Sequence, residues 1–221
     1  MDSRTAIRGE VVVMLLVAGV ASAQGQATVT NPAGQWTVES GQTVGEGSNV
    51  IRGQVGWPGI WADFIHGVDS TFDFGGRFGF NYGFQGLTNG SNGVGLTFQA
   101  LLRKQITEIG GFKLALTFDP GFLLYFPSGG TEAGITFPIG AQMGFPVAEK
   151  VVINASFSLP MFVIFSPGNF FIPILFGGGV EYLLQPDLAL TFDLKLGPTI
   201  ATSGGSAFTL YAMFGVAYKL Q

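Results

Sequence analysis

Arg52, Asp73, Arg77, Arg103, Lys113, Asp119, Glu181, Asp193 and Lys195 share one property: each occupies the polar parity of a segment whose alternate positions are largely apolar. Their signs nearly balance along the chain. A charge taken out of water is costly unless it is paired and hydrogen-bonded. If these side chains face one interior, they imply ion pairing across a polar lumen, or contact with a small polar solute inside it. Other chemistry finds less support. The chain has 1 His and no Cys. That histidine, His66, lies beside a tight turn with Ser70 on its far side, and no acidic residue is placed to complete a nucleophilic triad. A lone His is a poor metal site, because zinc takes several nitrogen or sulfur ligands. Gly177-Gly178-Gly179 is followed by neither a helix nor a Lys-Ser/Thr pair, so it is no phosphate loop. The sequence predicts no enzyme, cofactor or metal.

Side chains in this pattern need elements of period two to position them. In FDFGGRFGFNYGF (72–84), Phe72, Phe74, Phe78, Phe80, Tyr82 and Phe84 take one parity. Asp73, Gly75, Arg77, Gly79, Asn81 and Gly83 take the other. Successive side chains of a β-strand point to opposite faces, whereas a helix would spread these aromatics around its circumference. The same alternation runs through GVGLTFQALLRKQI (93–106), FKLALTFD (112–119), GITFPIGAQMGF (134–145), VVINASFSLPMF (151–162), IPILFGGGVEYLL (172–184) and LALTFDLKLG (188–197). Tight turns at 67–70, 109–111, 147–150 and 185–187 alternate with longer connections at 85–92, 127–132, 166–169 and 203–206. That is the rhythm of antiparallel hairpins in an up-and-down meander. About eight strands follow from Phe72 onward. Residues 50–57 and 60–66, hinged at Pro58-Gly59, add two more, so ten strands are favoured over eight.

Pro120, Pro138, Pro160, Pro173 and Pro198 fall inside these strands, where each deletes a ladder hydrogen bond. Were all of them turns, the strands would be short and a soluble sandwich would be the better reading. Parity argues otherwise. Phe118, Phe122, Leu124 and Phe126 keep one face through Pro120, and Leu159, Met161, Val163 and Phe165 keep one through Pro160. A turn or single bulge would usually shift the register. The prediction is therefore long strands with local distortions.

Composition says what surrounds them. The 221 residues include 35 Gly and 22 Phe, and only 11% are charged, against about 25% in ordinary soluble domains. Yet no run approaches the roughly 20 apolar residues of a membrane helix. Strands apolar on one face only, closed into a membrane barrel, satisfy both facts. Tyr82, Phe84, Phe126, Phe165, Phe170 and Phe208 near the loop ends, and Phe72, Phe112, Phe145, Tyr182 and Tyr218 near the turn ends, would form its two interfacial girdles. The net charge of −4 gives no support for a nucleic-acid partner. Arg4 and Arg8 precede the apolar stretch VVVMLLVAGV (11–20), and Ala21-Ser22-Ala23 supplies a small-x-small cleavage site. Residues 1–23 therefore read as a cleaved signal peptide. Residues 24–49, polar and rich in Gly, Thr, Ser and Gln, read as a flexible periplasmic arm, and residues 50–221 as the barrel.

From residue 50 onward the chain resembles the small outer-membrane β-barrel proteins of Gram-negative bacteria, the OmpA-type and OmpW-type barrels grouped as porin-like. The signal peptide, the alternation and the ending MFGVAYKL (213–220) carry the resemblance. Within that ending, Gly215, Tyr218 and Leu220 are similar to the C-terminal signal read by the barrel-assembly machinery. Met213 stands where the family usually has a polar residue, and Gln221 follows where it commonly stops on an aromatic. The resemblance implies export to the outer membrane, outer-membrane lipid and the assembly machinery as partners, and porin-like passage or binding of small solutes. Inward glycines such as Gly75, Gly79, Gly83, Gly177 and Gly179 would leave space for a solute along one side of the lumen. Two other readings stand beside this one. The charges could close a purely structural barrel, or the chain could be a secreted soluble β-sandwich that binds something.

Overall fold

A computed structural model describes residues 35–88, 93–109, 111–165, 168–202, 204 and 206–220. The expected signal peptide and the first part of the arm lie outside the described residues. Alternation produces β1 (Asn49–Trp57), β2 (Gly59–Asp69), β3 (Phe72–Asn81), β4 (Val94–Ile109), β5 (Phe112–Phe118), β6 (Gly121–Phe126) and β7 (Glu132–Thr136). There follow β8 (Ile139–Ala148), β9 (Val151–Leu159), β10 (Phe162–Ile164), β11 (Asn169–Pro173), β12 (Leu175–Gln185), β13 (Leu188–Ala201) and β14 (Ser206–Leu220). Four pairs of segments run on from one another: β5 into β6, β7 into β8, β9 into β10 and β11 into β12. They make ten staves, each antiparallel to its neighbours in sequence. β14 pairs with β1 from Asn49↔Leu220 to Trp57↔Ala212, which closes the sheet on itself. The fold is a ten-stave up-and-down barrel, neither the eight-strand alternative nor a sandwich of two sheets.

The four breaks account for most of the troublesome prolines. They fall at Pro120, Pro138 and Pro160 and at Ile174, immediately after Pro173, in four adjacent staves and at one level of the wall. Thr136, just before the second break, pairs with both Gly121 and Phe162, and Ile139, just after it, pairs with both Phe118 and Leu159. The interruptions therefore line up, and each stave resumes with its register intact. Proline lacks a donor but keeps its acceptor. Pro120 accepts the Ala100 N–H at 2.8 Å, Pro138 that of Asp119 at 2.9 Å, and Pro198, inside unbroken β13, that of Ile174 at 2.8 Å. Four register shifts, between Gly67 and Asp69, Gln105 and Thr107, Pro146 and Ala148, and Leu183 and Gln185, all sit beside the tight turns. Bulges are common at barrel rims, where they tighten the local twist.

The outer face is apolar around the whole circumference. Phe122, Phe176 and Phe214 are 66%, 60% and 63% exposed, and Ile51, Phe64, Phe74, Leu116 and Ile200 point the same way. One expected member of this belt lies elsewhere. Phe84 is 8% exposed, because β3 ends at Asn81 and the chain then turns into the barrel.

Candidate functional site

The inward parity is polar, and the wall holds its charges in register. Arg52 of β1 lies opposite Asp63 of β2, which lies opposite Arg77 of β3. Asp63 therefore sits between two guanidinium groups. Arg52 donates to it through Nε at 2.9 Å, and Arg77 through Nε at 2.8 Å and Nη2 at 3.0 Å. The Arg77 guanidinium also lies 4.5 Å over the Trp61 ring. Arg103 of β4 reaches Asp73 of β3 through Nε at 2.8 Å. On the far wall Lys195 pairs with Asp193 at 2.9 Å.

Residues 35–48, expected as part of a flexible arm, instead cross the turn-side mouth from inside. Trp36, Thr37, Val38, Ser40 and Val44 are each 5% exposed or less. The apolar members pack with Val50, Ile65, Ala189 and Ala217 of the wall. The polar composition that suggested a free arm is what a segment within a polar lumen requires, since its backbone groups need partners. The wall supplies them. Glu181 accepts the N–H groups of Val38 at 2.9 Å and Glu39 at 2.8 Å. Arg103 donates to the carbonyls of Thr37 at 2.8 Å and Ser40 at 3.2 Å, and Asp73 accepts the Val44 N–H at 3.2 Å. Trp36 Nε1 donates to the Pro186 carbonyl at 2.9 Å and the Thr43 hydroxyl to the Ser70 carbonyl at 3.1 Å. Glu39 completes the anchor by pairing with Arg52. Burial works against its charged form, but Arg52, Lys195 and Arg77 together hold its carboxyl below the usual carboxylate range.

The opposite mouth is filled by the connection after β3. Phe84 packs on Tyr125, Phe162 and Phe171 at ring separations of 4.6, 5.9 and 6.3 Å. Leu87 bridges to Thr209 of β14 across the lumen. The Gln85 N–H donates to the Tyr125 hydroxyl at 3.0 Å, and the Tyr211 hydroxyl donates to the Gln85 carbonyl at 3.2 Å.

Between plug and cap lies a cavity of about 140 Å³, lined by Trp61, Arg77, Asp119, Gln142, Lys195 and Tyr211 among others. By that measure it has room for roughly ten water-sized groups. The described interior holds six carboxylates (Glu39, Asp63, Asp73, Asp119, Glu181, Asp193) and five cations (Arg52, Arg77, Arg103, Lys195 and Lys219, whose Nζ donates to the Val44 carbonyl at 3.1 Å), and the chamber itself is lined by four of each sign. Asp119 makes no salt bridge among the described residues. Lys113 stands apart at the rim, 3.8 Å from Glu108.

Sequence reasoning missed two charges at the centre of this arrangement. Asp63 shares the inward parity of Trp61 and Ile65, so its spacing held a usable signal. Glu39 lies in a stretch without periodicity and gave none. The expected open side of the lumen is also absent at the glycines. A Cβ on Gly79 would lie 2.8 Å from the Trp61 ring, and one on Gly177 2.8 Å from Lys195 Cγ. Larger neighbours already occupy those spaces. Gly215 faces inward, where a Cβ would come within 2.5 Å of Thr191 Oγ1, while Tyr218 and Leu220 face outward. His66 bonds Asn49 through Nδ1 at 2.9 Å. No group of three or more metal-ligating side chains occurs among the described residues.

No family model matches this chain, and no curated protein matches it. Among solved structures, one described as "KdgM porin" covers 79% of this chain and 99% of its own, at 8% identity and a TM-score of 0.40. Another, described as "KdgM porin in complex with disordered oligogalacturonate", has the same coverage at 9% identity and a TM-score of 0.36. Similarity at this level carries no argument about what the lumen holds, which rests on the geometry above.

Proposed function

We propose that this chain is an outer-membrane β-barrel that binds small solutes in its lumen and passes them when the plug and cap move aside. The observation that carries this reading is a charged chamber of about 140 Å³ inside a wall whose outer face is apolar. A water-soluble protein rarely exposes contiguous apolar surface on this scale, whereas the outer face of a membrane barrel requires it. A lumen lined by arginines and carboxylates suits polar cargo.

Export by residues 1–23 and insertion by the barrel-assembly machinery of a Gram-negative bacterium belong to the same proposal. Tyr218 and Leu220 support it, since they project outward from the strand that closes the barrel. The inward Gly215 has a separate packing role against Thr191 and Gln54. The finer likeness to OmpA-type and OmpW-type barrels rests on that ending and on the meander.

A second reading is a closed structural barrel, favoured by the filling of both mouths. Planar-bilayer conductance of the refolded chain 24–221 separates the two. Discrete, reproducible current steps support passage, whereas a folded barrel that stays silent supports the structural reading.

A further inference from the structure

The side wall of the chamber has a seam. Ile139 of β8 and Phe157 of β9 belong to the outward parity and are 41% and 37% exposed. A tight sheet would keep such side chains from the lumen, yet both line the chamber. They also line a groove of about 500 Å³ on the outer face, together with Leu116, Phe118 and Ala141. Thr117, on the inward parity of β5, lines both spaces as well. Chamber and groove therefore meet where β5, β8 and β9 run side by side. That place is the level of the proline breaks. Pro120, Pro138 and Pro160 bring three neighbouring staves to it without an N–H to give to the ladder. The inner layer there is thin, since Thr117, Ser156 and Ser158 are all short. The seam also lies at hydrocarbon depth, between Phe112 and Phe145 toward the turns and Phe126 and Phe165 toward the loops.

We propose that this seam is a lateral portal, through which the chamber takes the polar head of a single-chain amphiphile from the bilayer while the alkyl chain stays in the outer groove. The chain needs apolar surface along its length, and Leu116, Phe118, Ile139, Ala141 and Phe157 supply it. The head needs polar partners once it leaves water, and Asp119, Gln142 and Lys195 line the chamber. Four carboxylates and four cations favour neither sign, so a zwitterionic head without net charge finds a partner for each of its ends. This route crosses neither the plug nor the cap, which bar the two axial mouths. A bilayer lipid that lies in the groove and keeps its head at the interface is the competing occupant. Its head would rest near Lys104 and Phe72, which border the groove at its turn-side end.

The portal rests on the membrane-barrel reading but not on passage along the axis. Its test places the refolded chain in nanodiscs of perdeuterated diacyl lipid and titrates in protonated dodecylphosphocholine below its micellar concentration. Nuclear Overhauser contacts report where the head and the chain lie. Saturable contacts are expected from the head methyl groups to the ring of Trp61, which lines the chamber, and from the chain to Phe118 in the groove. Phosphocholine without a chain should give no contact with Trp61. Thr117→Phe, which narrows the seam from inside, should raise the half-saturating concentration about tenfold, the scale of overfilling a packed space. Ala141→Phe fills the groove from the lipid side, should act in the same direction, and serves if Thr117→Phe fails to fold. Val216→Phe, on the outer face of β14, should change nothing. Head contacts at Phe72 with none at Trp61 would place the amphiphile on the outer wall alone and overturn the portal. Equal binding by phosphocholine, or indifference to both seam substitutions, would overturn it too. In each of these cases a barrel that inserts and keeps heat-modifiable migration leaves the membrane reading standing, whereas a chain that stays soluble without lipid or detergent contradicts both.

Discussion

Asp63 is the residue on which the wall network turns. Its side chain is wholly shielded and accepts from two arginines on flanking strands. Removing one partner of a buried ion pair leaves the other uncompensated, at a cost of about 3–5 kcal/mol. Asp63→Asn is therefore expected to lower the temperature at which the barrel loses its heat-modifiable migration on a gel. Lys113→Met should barely move it, because its partner Glu108 is half exposed and exposed pairs contribute little. Equal shifts for the two would mean that Asp63 is not the hub. Parity in the sequence was enough to place Arg52, Arg77 and Arg103 on the inward face. It could not rank them, because the pairing partner of each depends on cross-strand register, which alternation alone leaves open.

Strands were legible as elements because lipid on one side and a polar lumen on the other impose period two over long runs. The plug and cap were not, for opposite reasons. Residues 35–48 have no period, and a polar segment inside a polar lumen has the composition of a free tail. Phe84 continues the alternation of β3 past its end, so its turn into the lumen left no mark in the pattern. The five prolines stood as an objection to long strands until the staves were in register, when four of them proved to lie at or beside breaks in adjacent strands at one level.

Glu39 gives the plug a pH dependence of its own. Glu39 has a depressed pKa in the folded state, so its pairing contributes fully above the ordinary carboxylate value of 4.5 and is lost as pH falls through the lower folded value. The fraction of time spent conducting is expected to rise as the pH drops below about 4.5. Glu39→Gln should raise it already at neutral pH. A conductance indifferent to both changes would show that Glu39 does not hold the plug.

At the scale of the whole molecule, the apolar exterior, the charged interior and the two filled mouths describe a barrel in a closed arrangement. Opening requires both the plug and the cap to move, and the chain offers a direct way to fix the plug. It has no cysteine, and a Cβ on Gly144 would lie 2.7 Å from the Cβ of Ser40. A shift of about 1 Å brings that pair to disulfide distance. The measurement that tests gated passage is single-channel conductance of the Ser40→Cys, Gly144→Cys chain before and after a reductant. The account predicts a silent barrel when oxidised and discrete current steps once reduced. Steps of equal size and frequency in both states would show that the plug is no gate, and silence in both, from a folded barrel, would contradict passage itself.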